Sequence, residues 1–242
     1  MRVLVTRPEP SATRTAEKLR LMEHDPVVLP LARAVHDLTA TRAALAAPHA
    51  AIAVTSAEAI RALEELGAET ISPYREDLLF AVGAVSAEAA RRLGFQQVVA
   101  GDGDGAALAA IIARDLEGRN PAGRPLLYLA GKPRAFGLEE ALEERHIPAS
   151  ICECYRMENT SITEQALQDS LTAPPVDAIL FYSVESVRRF FALPFTKACR
   201  QALEDVKFLC LSDRIRSAIP PQLQQKADVA RLPAEASLLT LL

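Results

Sequence analysis

Hydroxyl and basic side chains recur shortly behind short apolar runs in this chain. Thr6 and Arg7 follow Val3-Leu-Val5, Thr55 and Ser56 follow Ile52-Ala-Val54, and Ser86 follows Phe80-Ala-Val82. Lys132 and Arg134 follow Leu126-Leu-Tyr-Leu129, Ser183 follows Ile179-Leu-Phe-Tyr182, and Ser212 follows Phe208-Leu-Cys-Leu211. Such runs predict β-strands, and the residue behind each is then expected at the carboxyl edge of a sheet. A hydroxyl there, beside the free N–H groups of the next helix, suits a carboxylate or a phosphate. Any one of Ser56, Ser86, Ser183 and Ser212 serves equally as a simple helix N-cap. With Arg7, Lys132 and Arg134 at equivalent turns, the set predicts an anion-lined cleft, with Thr6, Arg7, Ser56, Ser86, Lys132, Arg134, Ser183 and Ser212 as its binding residues.

Tyr155 stands apart. It closes the apolar run Ile151-Cys-Glu-Cys154, and a phenol at that place either donates a proton to a leaving oxygen or packs with its hydroxyl in water. Other chemistries lack their motifs. Gly101-Asp-Gly-Asp-Gly105 does not have G-x-G-x-x-G spacing and follows the fifth strand-like run, so it predicts a loop ahead of a helix and no dinucleotide. Asp102 and Asp104 lack the further ligands of a calcium loop. His24, His36, His49 and His146 are scattered, with no pair at i and i+4, so no metal is expected. Cys152 and Cys154 are C-x-C on one face of a strand, a core pattern. No G-x-S-x-G elbow is present.

The elements that must position these residues alternate. Strands are predicted at Arg2–Thr6, Pro26–Pro30, Ala51–Thr55, Leu79–Gly83, Gln97–Ala100, Leu126–Leu129, Ser150–Cys154, Asp177–Tyr182, Lys207–Leu211 and Ala227–Leu232. They are rich in Val, Ile and Leu with little alternation, as strands covered on both faces are. Between them apolar residues recur at helical spacing, for example Ala12, Ala16 and Leu19, or Leu108, Ile111, Ile112 and Leu116. Gly67, Gly94 and Gly118 fall where helix C-caps are expected. This βα alternation predicts parallel sheets.

Half the chain echoes the other half. Ile52–Leu63 resembles Ile179–Phe190, Phe80–Ser86 resembles Phe208–Arg214, and Val3–Pro8 resembles Leu127–Pro133. The separation is far longer than solenoid repeats of about 20–50 residues, so a domain-sized unit is duplicated. Two doubly wound sheets of five strands are expected, with ligand beyond the carboxyl ends of their strands and the active site in a cleft between two domains.

Composition narrows the class. At 242 residues and 50% hydrophobic content the chain can bury two cores, and a net charge of −4 does not mark a nucleic-acid partner. Four cysteines set in apolar segments suit a reducing compartment. Neither an export signal nor a bilayer-length apolar run is read in the sequence, so a cytoplasmic protein with no membrane partner is expected.

The opening Val3-Leu-Val-Thr-Arg-Pro8, the segment Ala81-Val-Gly-Ala-Val-Ser-Ala87, the stretch Leu127-Tyr-Leu-Ala-Gly-Lys-Pro-Arg134 with Leu138-Glu-Glu-Ala-Leu142, and Asp177-Ala-Ile-Leu-Phe-Tyr-Ser183 with Phe190 behind it occur in the order found in uroporphyrinogen-III synthases, and the chain resembles that family over nearly its whole length. The resemblance implies an α/β fold of two flavodoxin-like domains with parallel sheets, joined by two connecting strands. One domain would combine about residues 1–33 with 157–242; the other would be the insert at about 36–150, with crossings at Leu29-Pro-Leu-Ala-Arg33 and Cys154-Tyr-Arg-Met157. It also implies a lyase of tetrapyrrole (haem) biosynthesis that cyclises hydroxymethylbilane to uroporphyrinogen III, with loss of water and inversion of ring D. No cofactor is implied, and a monomer is expected. Tyr155 aligns with the tyrosine proposed in the family to help the hydroxyl depart, and Ser86 falls where the family often has a functional threonine. Leu211-Ser-Asp-Arg-Ile-Arg216 departs from the family pattern: Ile215 stands where a hydroxyl is often found, with Arg214 as a substitute carboxylate ligand, and Tyr182 replaces a small hydroxyl residue.

Two rivals share parts of this picture. A non-catalytic two-domain binder of small anions would have the same fold and would bind linear tetrapyrrole without turnover. A nucleotide- or sugar-phosphate-using transferase should carry a Gly-rich loop after the first strand, and Thr6-Arg-Pro-Glu-Pro10 is not one.

Overall fold

The structure, a computed structural model, describes residues 1–101, 103–117, 123–134 and 136–242. Asp102 and Gly118, considered above for a loop and a helix cap, lie outside the described residues. The chain begins with β1 (Arg2–Val5), α1 (Ser11–Leu21), β2 (Asp25–Val28), β3 (Ala32–His36) and α2 (Leu38–Ala46). It continues through β4 (Ala51–Val54), α3 (Ala57–Glu65), α4 (Ala68–Ile71), β5 (Leu78–Val82), α5 (Gly83–Leu93), β6 (Gln97–Gly101) and α6 (Gly105–Leu116). Then come β7 (Leu126–Lys132), α7 (Gly137–Glu144), β8 (Ala149–Asn159), α8 (Glu164–Thr172), β9 (Ala178–Phe181) and α9 (Val184–Phe191). The last elements are α10 (Lys197–Ala202), β10 (Lys207–Cys210), α11 (Asp213–Arg216), β11 (Ala227–Val229) and α12 (Glu235–Leu239). No helix among the described residues is long and apolar enough to cross a membrane.

Two compact units result: residues 1–33 with 158–242, and residues 34–157. The first holds a five-stranded sheet of order β11-β10-β9-β1-β2, and the sheet of the second runs β3-β8-β7-β4-β5-β6. The neighbours β1–β2, β1–β9, β9–β10, β10–β11, β4–β5, β4–β7, β5–β6 and β7–β8 are all parallel.

Both sheets are covered on both faces, which is why their strands are continuously apolar. Successive residues of a strand point to opposite sides. In the first unit Leu4, Ile179, Phe181 and Phe208 face Leu167, Leu171, Val187 and Phe190, while Val3, Val5, Leu180 and Leu209 face Ala12, Leu19, Leu238 and Leu239. The Phe181 ring meets Phe190 edge-on at 5.5 Å and stacks on Phe208 at 6.2 Å. In the second unit Ile52, Val54, Leu79 and Leu127 pack on Ala59, Ile60, Leu63 and Ala87, and Ala53, Phe80, Leu126 and Tyr128 pack on Leu108, Ile112, Leu138 and Leu142.

The internal echo acquires a structural meaning here. Along the chain β1, β2, β4, β5 and β6 form one run of five strands, and β7, β8, β9, β10 and β11 form a second. Matched members start 124 to 130 residues apart. They also hold the same positions: β11-β10-β9-β1-β2 in one sheet corresponds to β6-β5-β4-β7-β8 in the other. Each unit is therefore built from the first two strands of one copy and the last three of the other. Among the strands of the described residues, only β3 has no partner in the duplication.

Candidate active site

In each sheet the winding direction reverses once, between β1 and β9 in the first unit and between β7 and β4 in the second. Ligands of open α/β sheets bind beyond the carboxyl ends of strands at such a reversal. In the second unit a cleft of about 440 Å³ lies there. Thr55 and Ser56 behind β4, Val82 at the end of β5, Gly131 in β7 and Tyr155 in β8 line it, with Pro133 and Arg134 from the segment after β7. The starts of two helices complete the wall: Asp104, Gly105 and Ala106 of α6, and Gly137 and Leu138 of α7.

Local sequence explains these placements. Ser56 is extended and caps α3, its hydroxyl accepting the Glu58 N–H at 3.1 Å. Asp104 caps α6 by accepting the Ala107 N–H at 3.1 Å. The starts of α6 and α7 meet so closely that a Cβ on Gly105 would lie 2.6 Å from the Leu138 nitrogen. Two helix N-termini thus border one space, an arrangement that suits an anion.

Tyr155 sits in the middle of the long strand β8, which runs on to Asn159 and does not stop at Tyr155 as its sequence suggests. The register between β7 and β8 shifts at Ala130/Gly131, so that Tyr155 comes opposite Gly131. Its ring covers that glycine's Cα: a Cβ there would be 2.6 Å from the ring Cε2, and closer still to Cζ and Oη. Burial pushes the Tyr155 phenol above the ordinary phenol range, and a hydrogen bond with Ser56 offsets part of this. The phenol is therefore neutral at physiological pH and has a proton to give. Below it, the Thr55 hydroxyl and the Tyr128 phenol are 3.0 Å apart. Tyr128 is likewise pushed up by burial.

His36, at the end of β3, belongs to this cluster, and no motif in the sequence marks it. Its Nε2 lies 2.9 Å from Glu58 Oε1 and its Nδ1 2.8 Å from Glu65 Oε1. Its ring meets that of Tyr155 edge-on, with centroids 6.4 Å apart. Glu58 also binds Arg61. Glu58 and Glu65 are seven residues apart on one helix face, but only the fold brings His36 to them.

Of the expected binding residues, the structure brings Ser56, Arg134 and Tyr155 together. Arg134 is held by Glu139 at 2.5 Å and Glu153 at 2.6 Å, and lies over the Phe136 ring at 5.5 Å. Lys132 pairs with Glu153 at 3.2 Å, outside the cleft lining. Ser86 is not in a strand-to-helix turn. It is buried inside α5, because Gly83, with φ of 74°, already opens that helix. The remaining residues belong to the first unit. Thr6 is buried and donates its hydroxyl to the Leu180 carbonyl at 3.0 Å, joining β1 to β9. Arg7 pairs with Glu235 at 2.8 Å. Ser183 caps α9 in a reciprocal pair with Ser186, and Ser212 heads α11 without a capping bond. Ile215 packs into the core of that unit, while Arg214 is exposed.

No group of three or more metal-ligating side chains occurs among the described residues. The four cysteines are buried and unpaired. The fold resembles that of uroporphyrinogen-III synthetase from Helicobacter pylori 26695, with 16% identity, a TM-score of 0.65, and coverage of 100% of this chain and 98% of that one. It also resembles a mutant uroporphyrinogen III synthase from the extremely thermophilic bacterium Thermus thermophilus, with 21% identity, a TM-score of 0.54, and coverage of 99% and 96%. A search of curated proteins gives no match. The family model of HEM4, uroporphyrinogen-III synthase HemD, matches residues 13–239, a span that takes in the second unit with its cleft and Tyr155 and every strand of the first sheet except β1, and on that match the chain belongs to the uroporphyrinogen-III synthase family.

Proposed function

We propose that this chain is a uroporphyrinogen-III synthase that cyclises hydroxymethylbilane with loss of water, and that the cleft of its second unit receives the end of the substrate that carries the hydroxymethyl group. The observation that carries the reading is Tyr155: a partly buried, neutral phenol beside the Ser56 hydroxyl, on the wall of a cleft bordered by two helix N-termini. Family membership supplies the reaction.

The residues act as follows in this reading. The Tyr155 phenol protonates the departing hydroxyl, the C–O bond breaks, and water leaves as the pyrrole nitrogen supplies electrons to the exocyclic carbon. The Ser56 hydroxyl stabilises the phenolate that remains. The cationic carbon is attacked by the already substituted carbon of ring D, the spiro intermediate opens, and the ring recloses inverted. The proton released from that ring on rearomatisation returns to the phenolate, so the sum is loss of one water. Arg134 and the starts of α6 and α7 hold substrate carboxylates. Most of the rate then comes from holding a reactive cation in one geometry and supplying charge of the right sign around it. The chain is inferred to work as a monomer without cofactor. Its four buried thiols suit a reducing cytoplasm.

Product-isomer analysis tests this. Hydroxymethylbilane incubated with the protein, oxidised to porphyrins and separated by chromatography should give the type III isomer, and Tyr155→Phe should lower turnover about 10²–10⁴-fold with the fold intact. Spontaneous closure gives type I. Type I alone from folded protein would sink the catalytic reading in favour of a binder, and unchanged turnover in Tyr155→Phe would remove Tyr155 from the chemistry.

A further inference from the structure

The duplication sets up a comparison between the two reversals. In the second unit the space beyond β4 and β7 is the open cleft, lined by Thr55 behind β4 and Gly105 opening α6, while Lys132, which ends β7, lies outside its lining. The corresponding residues of the first unit are larger or charged: Tyr182 behind β9, Arg7 behind β1 and Glu235 opening α12. There the Glu235 carboxylate takes hydrogen bonds from α1 and from the segments that follow β1 and β9. Its Oε1 accepts from Arg7 Nη1 at 2.8 Å, Thr15 Oγ1 at 2.6 Å and Tyr182 Oη at 3.0 Å, and its Oε2 accepts from Lys18 Nζ. The Arg7 guanidinium lies over the Tyr182 ring, 4.0 Å from its centroid.

Four donors, two of them cationic, surround one carboxylate at the point where an open α/β sheet takes its ligand. A tether for α12 needs only one of these cations. The donor set is that of a carboxylate receptor: a guanidinium fixed by an aromatic face, an ammonium and two hydroxyls. Residues 231–234 are exposed, whereas Leu238 and Leu239 of α12 are buried. Rotation of the Glu235 side chain alone would open the site, with α12 still held by its core contacts.

We propose that Arg7, Thr15, Lys18 and Tyr182 form a carboxylate-binding site in the first unit, and that Glu235 occupies it as an internal stand-in, displaced by a substrate carboxylate on binding. That the displacing carboxylate belongs to the substrate rests on the function proposed above; the site itself does not.

The test uses the full chain and acetate as probe. Glu235→Ala removes the occupant. Sodium acetate at millimolar concentration should then raise the Tm of the variant well beyond the effect of sodium chloride at equal ionic strength, and leave the wild type no different from chloride. Adding Arg7→Met should abolish the rescue. Equal effects of acetate and chloride on Glu235→Ala, or a rescue that survives Arg7→Met, would overturn the proposal. If Glu235→Ala does not fold, Glu235→Gln keeps the shape and removes the charge: its KM for hydroxymethylbilane should fall at least threefold, and an unchanged or raised KM would count against the site. Acetate rescue in a protein that yields only type I product would uphold the site and remove the substrate assignment.

Discussion

Gly131→Ala is a small change with a large consequence if the cleft is the reaction site. The backbone at Gly131 lies outside the left-handed region, so the cost of a side chain is steric. A Cβ would lie 2.6 Å from Tyr155 Cε2 and nearer to Cζ and Oη, against about 3.4 Å for the shortest ordinary contact. The ring must therefore retreat by about 0.8 Å or more. It cannot rotate clear cheaply, because His36 and the β7 strand bound it. Overpacking of this kind costs about 1–3 kcal/mol of stability, which for a chain of this size lowers Tm by a few degrees up to about 12 °C. A misplacement near 1 Å costs about 10² in rate, or about 2.7 kcal/mol in activation free energy. Turnover to type III product and thermal unfolding measure the two effects separately. The control is Tyr155→Ala, which removes the ring: in that background Gly131→Ala should cost nothing further in rate. Full turnover in the single variant, or an equal loss with and without the Tyr155 ring, would refute the argument that Gly131 is a glycine on account of Tyr155.

Three further expectations follow from side-chain partners. His36→Ala removes a hydrogen-bond partner from Glu58, which keeps Arg61, and from the more exposed Glu65, and should cost about 1–3 kcal/mol in unfolding free energy, with a lower kcat, while His36→Gln should recover part of both by restoring one hydrogen bond. Arg134→Gln keeps a planar amide but loses the charge, so KM for hydroxymethylbilane should rise about tenfold, the loss of roughly 1.4 kcal/mol from one charge-assisted contact, with less change in kcat. Burial raises the Glu235 carboxyl, but the bonds from Lys18, Thr15 and Tyr182 and the Arg7 charge overcome this and hold it at about 2, below its ordinary 4.5. Its contribution to stability is thus present above pH 4.5 and is lost as pH falls toward 2, by about 1–2 kcal/mol once solvent screening at a partly exposed group is allowed for; in Glu235→Gln, acid unfolding followed by circular dichroism should lose this component.

Most strands are legible in the sequence because both faces of each sheet are covered. Runs such as Ala51–Val54 and Ala178–Phe181 are apolar at every position and stand out from the helical pattern around them. β3, Ala-Arg-Ala-Val-His, gives no such signal: only Ala32 is buried in it, and it has no counterpart in the duplication. The end of β8 is hidden for a similar reason, since Arg156, Glu158 and Asn159 break the apolar run although the strand continues through them. Within the site, Ser56, Arg134 and Tyr155 can be named because each lies in or beside an apolar run. Gly131 cannot, because its role depends on the ring of Tyr155, which sequence alone does not place opposite it. The His36–Glu58 contact spans 22 residues and the Arg7–Glu235 contact spans 228, distances over which a pattern of residue types carries no register. Ser86 lies away from its expected turn because a glycine at positive φ starts the helix three residues earlier than the strand pattern implies.

The exchange of strands between the two copies has a consequence for synthesis. Read from the N-terminus, β1 and β2 emerge first, yet the strand that must lie on the other side of β1 is β9, and the sheet is finished only by β11 at Ala227–Val229. Residues 34–157 can close their own sheet while this opening segment still waits with one edge of β1 unpaired. Such an edge is a template for wrong pairing, and contacts so distant in sequence form slowly. The inserted unit is thus expected to fold first during elongation. A chain halted after β8 and before β11 would carry one finished unit and one open β-edge, the state in which this protein is most exposed to aggregation.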